Sequence, residues 1–192
     1  MPHRQSIVYK AGRHVTQLLL RKLPADRLFH NVHHTINVVQ GVADIGVAEQ
    51  LTAEQMEILL LAAWFHDTGH ILTYAGHEAR SVDIATQWLK EQKYPEEKIV
   101  EVERCILATT MPQQPQDDME RVICDADLYH LSFSSYDHYQ EVLREEWKLV
   151  LHQEMSNDEW EASNESFLRN HKFWTAYGKQ VLEPKKWTGR DF

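Results

Sequence analysis

Three histidines fall within five positions of the stretch FHNVHHTINVV, at His30, His33 and His34. Imidazole titrates near neutrality and ligates borderline metals, so this density points to proton transfer, metal binding or both. On a helix through the stretch, His30 and His34 stack on one face a turn apart, while His33 points well away. The segment AAWFHDTGH then places His66 and Asp67 at the end of a strongly apolar run. A buried imidazole beside a carboxylate is costly unless the charges are paired or coordinated. A third irregularity is VICDADLYHL, where Asp125 and Asp127 interrupt apolar residues. Each feature has a plain structural alternative: a histidine packed on a helix face, an ion pair at a solvated helix end, an aspartate capping the next helix. Together they offer imidazoles and carboxylates in the order H…HD…D, a mixed nitrogen and oxygen set for a borderline divalent ion.

The elements that must position these residues read as helices almost throughout. Pro24 opens the segment through the histidine cluster, with Leu28, Val32, Ile36 and Val39 as its apolar stripe. LTAEQMEILLLAAW has Thr52 at an N-cap position with Gln55 three residues on, a capping-box pattern, and Met56, Leu59, Leu60 and Ala63 on one stripe. Gly69 in HDTGH marks its end. Three amphipathic stretches follow, around Val82, Ala85 and Leu89, then Ile99, Val102 and Ile106, then Met119, Val122, Ile123 and Ala126. Pro95 and the MPQQPQDD loop separate them. Beyond the SFSSYD turn, two long helices are predicted over residues 136–153 and 158–182. No alternating strand pattern or internal repeat is present, so the predicted fold class is all-α, one domain over residues 1–192.

Composition narrows the function. With 192 residues, 43% hydrophobic and 26% charged, the chain is long enough to bury a substantial core. The formal net charge of −9 argues against general nucleic-acid binding, which needs surplus cations to displace counterions. The longest apolar run, residues 58–65, is too short to cross a bilayer, and MPHRQSIVYK has no signal-peptide block. The expectation is a soluble, cytoplasmic protein. Cys105 and Cys124 lack the spacing of a zinc or redox motif and read as buried small residues. Six tryptophans, several in the C-terminal third, allow an apolar interface between copies in a homo-oligomer.

The pattern of His34, His66–Asp67 and Asp127, with HDTGH, GHEARS and DADL around it, resembles the HD-domain superfamily of metal-dependent phosphohydrolases. The resemblance spans about residues 28–131, leaving a helical extension over residues 135–183. It implies an all-α bundle with His34, His66, Asp67 and Asp127 as metal ligands at its centre, Asp127 being preferred to Asp125 by the family's usual position. Asp67 would bridge to a second ion if two are held, the metal being Mn, Fe, Co, Ni, Zn or Mg. FHNVHHT and ILATTM are further similar to segments of cyclic nucleotide phosphodiesterases, with Phe29 where those have tyrosine. That similarity makes His30 the proton donor to the leaving oxygen and Asn31 a supporting partner behind the ligands. His70 corresponds to a histidine near the metal-bound water. A helix-terminal role for it is the alternative. His77 and Glu78 either support the ligands, reach a second metal or sit solvated at a helix start. Arg80, Arg144 and Lys172 are candidates to meet a substrate phosphate, with solvated surface charge as the default for each. Thr109 is a candidate contact near the site. Thr109 and Thr110 also stand where family members with a fully ligated metal pair often carry a histidine, which argues against a di-iron oxygenase.

The implied activity is hydrolysis of a phosphomonoester or phosphodiester in a small phosphorylated metabolite, a nucleotide or cyclic nucleotide foremost. A metal ion would activate water for attack on phosphorus. The alternative from another class is a non-catalytic metal- or nucleotide-binding signalling module.

Overall fold

The computed structural model describes residues 6–188. All regular structure among these residues is helical. Helix α1, Ile7–Lys22, is capped by the Ser6 hydroxyl, which accepts the Tyr9 N–H. It buries Ala11, Val15 and Leu19. It precedes every helix that the sequence motifs identify.

The histidine segment does not start its helix at Pro24. Helix α2 is Val32–Ala48, and Asn31 caps it by accepting the backbone N–H groups of His33 and His34. Residues 24–31 stay irregular, and at their end a distant carboxylate takes up two backbone donors. Glu146 accepts the N–H of Phe29 at 2.7 Å and of His30 at 3.1 Å. Ile36, expected on the buried stripe, is 46% exposed. His34, Val38, Val42 and Ile45 occupy that face instead.

Helix α3, Ala53–Phe65, has the Thr52–Gln55 capping box. It is buried almost all round rather than along one stripe, as Ile58, Leu59, Leu61, Ala62, Ala63 and Phe65 show. That is the pattern of a central helix, and α1, α2, α5 and α6 all pack on it. It ends at Phe65 with His66 as its C-cap, and a 3-10 turn, Thr68–Ile71, follows. Gly69 therefore lies beyond the helix end. A Cβ there would overlap the His77 carbonyl oxygen, and its N–H donates to the Ser81 hydroxyl at 2.8 Å. This glycine seats the turn against the start of the next helix.

Helices α4 (His77–Glu91), α5 (Glu96–Ala108) and α6 (Asp118–Asp127) complete the bundle. Gly41 of α2 lets α6 come close, since a Cβ on it would sit 3.1 Å from the Ala126 Cα. A 3-10 turn, Tyr129–Ser132, leads into α7 (Tyr136–Leu151) and then α8 (Asn157–Asn170).

The second long helix predicted for residues 158–182 is broken. α8 stops at Asn170, and helical structure resumes beyond Thr175 with a π-helical stretch, Gly178–Leu182, and a short α9, Glu183–Lys186. Asp125 ties down the gap. Fully buried on α6, it accepts the N–H of Trp174 at 2.7 Å, the N–H of Thr175 at 2.9 Å and the Thr175 hydroxyl at 2.7 Å. Neither aspartate of DAD caps the next helix; Asp125 instead anchors a segment fifty residues away, where Thr175 accepts the Gly178 N–H. Leu168, Phe173 and Leu182 join the same buried cluster as Val38 and Ile123. No helix among the described residues is long and apolar enough to cross a membrane.

Candidate metal centre

Four donor atoms from three helix ends meet under the bundle surface. His34 Nε2, in the first turn of α2, lies 3.3 Å from His66 Nε2, the C-cap of α3. It lies 3.4 Å from Asp67 Oδ2 and 3.2 Å from Asp127 Oδ1, the last residue of α6. His66 Nε2 is 3.3 Å and 3.5 Å from the same two carboxylate oxygens. Donors held about 2.1 Å from one ion in tetrahedral geometry stand roughly 3.4 Å apart, so these spacings fit a single cation.

The protonation chemistry also calls for a cation. His66 Nδ1 lies 2.9 Å from the Ala63 carbonyl, which can only accept. In the neutral ring the hydrogen is therefore on Nδ1, which leaves the Nε2 lone pair for an ion; burial opposes a charge on His66, but the Asp67 and Asp127 carboxylates outweigh it and raise its pKa well above the ordinary value. Neither His34 Nδ1 nor Asp67 Oδ2 has a hydrogen-bond partner, although both are buried. Burial favours neutral Asp67 and Asp127, but the facing imidazoles outweigh it and hold both carboxyls below the ordinary range. Among the described residues, no lysine or arginine lies in the wall of the surrounding cavity. A buried carboxylate and a half-buried one facing two imidazoles, with no lysine or arginine among the described residues beside them, make a donor set that fits a divalent ion.

Asp67 turns its other oxygen to a second group. Oδ1 is 3.2 Å from His77 Nε2 and 3.9 Å from His70 Nε2. His77 Nδ1 lies 3.0 Å from the Tyr74 carbonyl, so its Nε2 likewise presents a lone pair in the neutral ring. Burial works against protonating His77, yet the Asp67 and Glu78 carboxylates raise its pKa. His70 is 1% exposed, and neither ring nitrogen has a partner. Burial drives its pKa down to about 2, which keeps it neutral and ligand-ready. Its ring stacks between His30 and His77, with centroids at 4.4 and 3.8 Å. Ligand atoms of His30, Asp67 and His70 lie within 4.8 Å of one another.

A family model described as HD domain matches residues 31–132, more than half of the chain and a span holding every donor of the first group. The chain belongs to the HD domain family. Its members are metal-dependent and phosphohydrolase-like, which agrees with the two His/Asp groups that this HD domain brings together. Comparisons with curated proteins and with solved structures returned no match.

His30 lies just outside the matched span. It precedes α2 rather than riding on it, yet its ring centroid stands 5.8 Å from that of His34. Its position comes from Glu146 on α7, which is 0% exposed. One Glu146 oxygen contacts His30 Nδ1 and accepts the Tyr74 hydroxyl at 3.1 Å. The other accepts the two backbone N–H groups that hold residues 29–30 in place. Burial pushes the Glu146 pKa up, but these bonds to His30 and Phe29 more than reverse it, and the carboxyl falls below its ordinary 4.5.

The remaining candidate residues of this HD domain differ in how near they come to the donors. Arg80 is exposed and paired with Asp83 at 3.3 Å. Arg144 donates to Asn157 and to the Met155 carbonyl, and Lys172 faces Glu183 at 3.5 Å. None of the three lines the cavity beside the donors. Thr109 spends its hydroxyl on the Ile106 carbonyl of its own helix, while Thr110 and Met111 reach the cavity wall. Asn31 supports the site as the cap of α2, and its amide also donates to the Leu28 carbonyl at 2.5 Å. Glu78 is buried at the cavity, 3.7 Å from His77 Nδ1. His33 is exposed.

Three residues were missed. Glu146 follows Tyr139 and Leu143 at helical spacing, so a glutamate on an apolar stripe was the available signal. His130, three residues past Asp127, lines the cavity, and burial takes its pKa down to about 3. Gln113, in the loop read only as a break, donates to Asp127 Oδ2 at 3.1 Å.

Proposed function

We propose that the protein is a metal-dependent phosphohydrolase cleaving a phosphomonoester or phosphodiester bond of a small phosphorylated metabolite, with nucleotides and cyclic nucleotides foremost. The observation that carries this reading is His30 held by Glu146 at the edge of the donor cluster. A structural brace or a ligand sensor needs the donors but has no use for an oriented acid–base group.

His34, His66, Asp67 and Asp127 would hold one ion, and Asp67 with His70 and His77 a second. Imidazole-rich sets favour Mn, Fe, Co, Ni or Zn over Mg. Bound there, such ions lower the pKa of water and polarise a phosphoryl oxygen. The chain supplies what remains. Glu146 keeps the hydrogen of His30 on Nδ1 when the ring is neutral, leaving Nε2 to carry the transferable proton. His30 then protonates the leaving oxygen as its bond to phosphorus breaks. Gln113 fixes the second oxygen of Asp127, so that Oδ1 stays turned to His34 and His66.

The test is metal analysis followed by hydrolysis assays on mono-, di- and cyclic nucleotides with added manganese, nickel or cobalt. Turnover of at least one substrate is expected. Stoichiometric metal with no turnover on any would overturn the proposal in favour of a non-catalytic binding module.

A further inference from the structure

The cavity that reaches the donor cluster has a volume of about 670 Å³, and its far wall differs in chemistry from its metal end. The far wall is built by α7 and α8, outside the family match, from Tyr139, Leu143, Trp147, Trp160 and Phe167 among others. Trp147 and Trp160 meet edge to face, centroids 5.5 Å apart at 87°. Aromatic walls of this kind favour flat, apolar groups through burial and ring contacts.

Two amides interrupt the apolar wall. Gln140 Oε1 accepts the Trp160 indole N–H, and Asn164 Oδ1 accepts the Tyr136 hydroxyl. An indole nitrogen only donates, which fixes the Gln140 amide with its NH2 turned away from Trp160. Among the described residues, no acceptor engages either amide nitrogen. Among the described residues, the wall thus offers hydrogen-bond donors and no lysine or arginine. Each phosphate beyond the one at the metal end would enter as an unpaired anion, which costs several kcal/mol.

We infer that the site selects esters of a single phosphate whose organic part is a flat, largely apolar ring system with hydrogen-bond acceptors, and that it rejects polyphosphates. This rests on the phosphohydrolase reading for the metal end, but the selectivity belongs to the α7–α8 wall. The discriminating experiment compares 1-naphthyl phosphate, uridine 5′-monophosphate, glycerol phosphate and ATP on the metal-loaded protein. Tryptophan fluorescence reads binding, and phosphate release reads turnover.

The two ring-bearing monophosphates are expected to bind and react with kcat/KM at least about tenfold above glycerol phosphate, with ATP poorest. Leu143→Lys, which adds a cation to the wall, is expected to raise ATP binding about tenfold. Ring-selective binding without phosphate release, and without turnover of a cyclic nucleotide assayed alongside, would leave this inference standing and overturn the hydrolase reading. Turnover with glycerol phosphate or ATP matching the ring-bearing esters would overturn the inference and leave the hydrolase reading intact.

Discussion

Glu146 and His30, separated by 116 positions in the chain, form one unit in which a wholly buried carboxylate grips both the ring and the backbone of the histidine. The grip ties Phe29 and His30 down ahead of α2, and it gives the imidazole a fixed direction beside the donor cluster.

His30→Ala should slow turnover by about 10²- to 10⁴-fold while leaving the metal content unchanged, the usual scale for one general acid. Glu146→Gln should cost about 10- to 100-fold, as for groups that orient a catalytic imidazole. The double variant should be no slower than His30→Ala alone, because the two act together. Additive losses in kcat, or loss of the metal from His30→Ala, would separate the pair.

Asp67→Ala should lose both metal and activity, since Asp67 contributes one oxygen to each donor group. Elemental analysis of the purified variant decides it. Retention of a full metal complement would remove Asp67 from the ligand set.

His77→Ala tests the second group by itself. Metal stoichiometry should fall from about two ions per chain to about one, with the ion between His34 and Asp127 retained. An unchanged ratio would confine metal binding to the first group.

Asp125→Ala should separate the two aspartates of DAD. It removes the acceptor of three hydrogen bonds to residues 174 and 175, at a cost of about 2 to 3 kcal/mol in denaturant unfolding. Metal affinity should stay within a few-fold of the parent, whereas Asp127→Ala should abolish it.

His171 provides a pH signature remote from the metal. Burial, aided by the nearby Lys186, lowers its pKa from 6.5 to about 4, and neither ring nitrogen has a hydrogen-bond partner. Between these values the unfolded chain binds a proton that the folded chain refuses. Stability should therefore decline as pH drops from 6.5 toward 4 and gain no further loss from this group below that. His171→Phe fits between Phe167 and Phe173 and should flatten this part of the profile in thermal melts across pH 4–8. Parallel profiles for the two proteins would show that His171 titrates alike in both states.

The sequence disclosed the all-helical class and the family, because helical periodicity and the H…HD…D order are local patterns. Thr52 and Gln55 likewise announce their capping box within four residues. Long-range partners stayed hidden. Asn31 and Glu146 hold the chain ahead of α2, which starts at Val32 and not at Pro24, and only the second of them is remote. Asp125 ties down residues 174 and 175 from about fifty positions away, in the gap where periodicity alone runs one helix through to residue 182. Arg80 looked able to meet phosphate because charge is visible in a sequence, while the direction of a side chain is not.

The division of the cavity between two stretches of chain has an evolutionary corollary. The ion-holding residues lie within positions 34–127, whereas the aromatic wall and the carboxylate behind His30 lie within positions 136–167. Swapping the later stretch among related chains would retune what is recognised without touching the ion-holding residues, provided a carboxylate stands in for Glu146 behind His30. Diversification of such proteins is then expected to concentrate in α7 and α8.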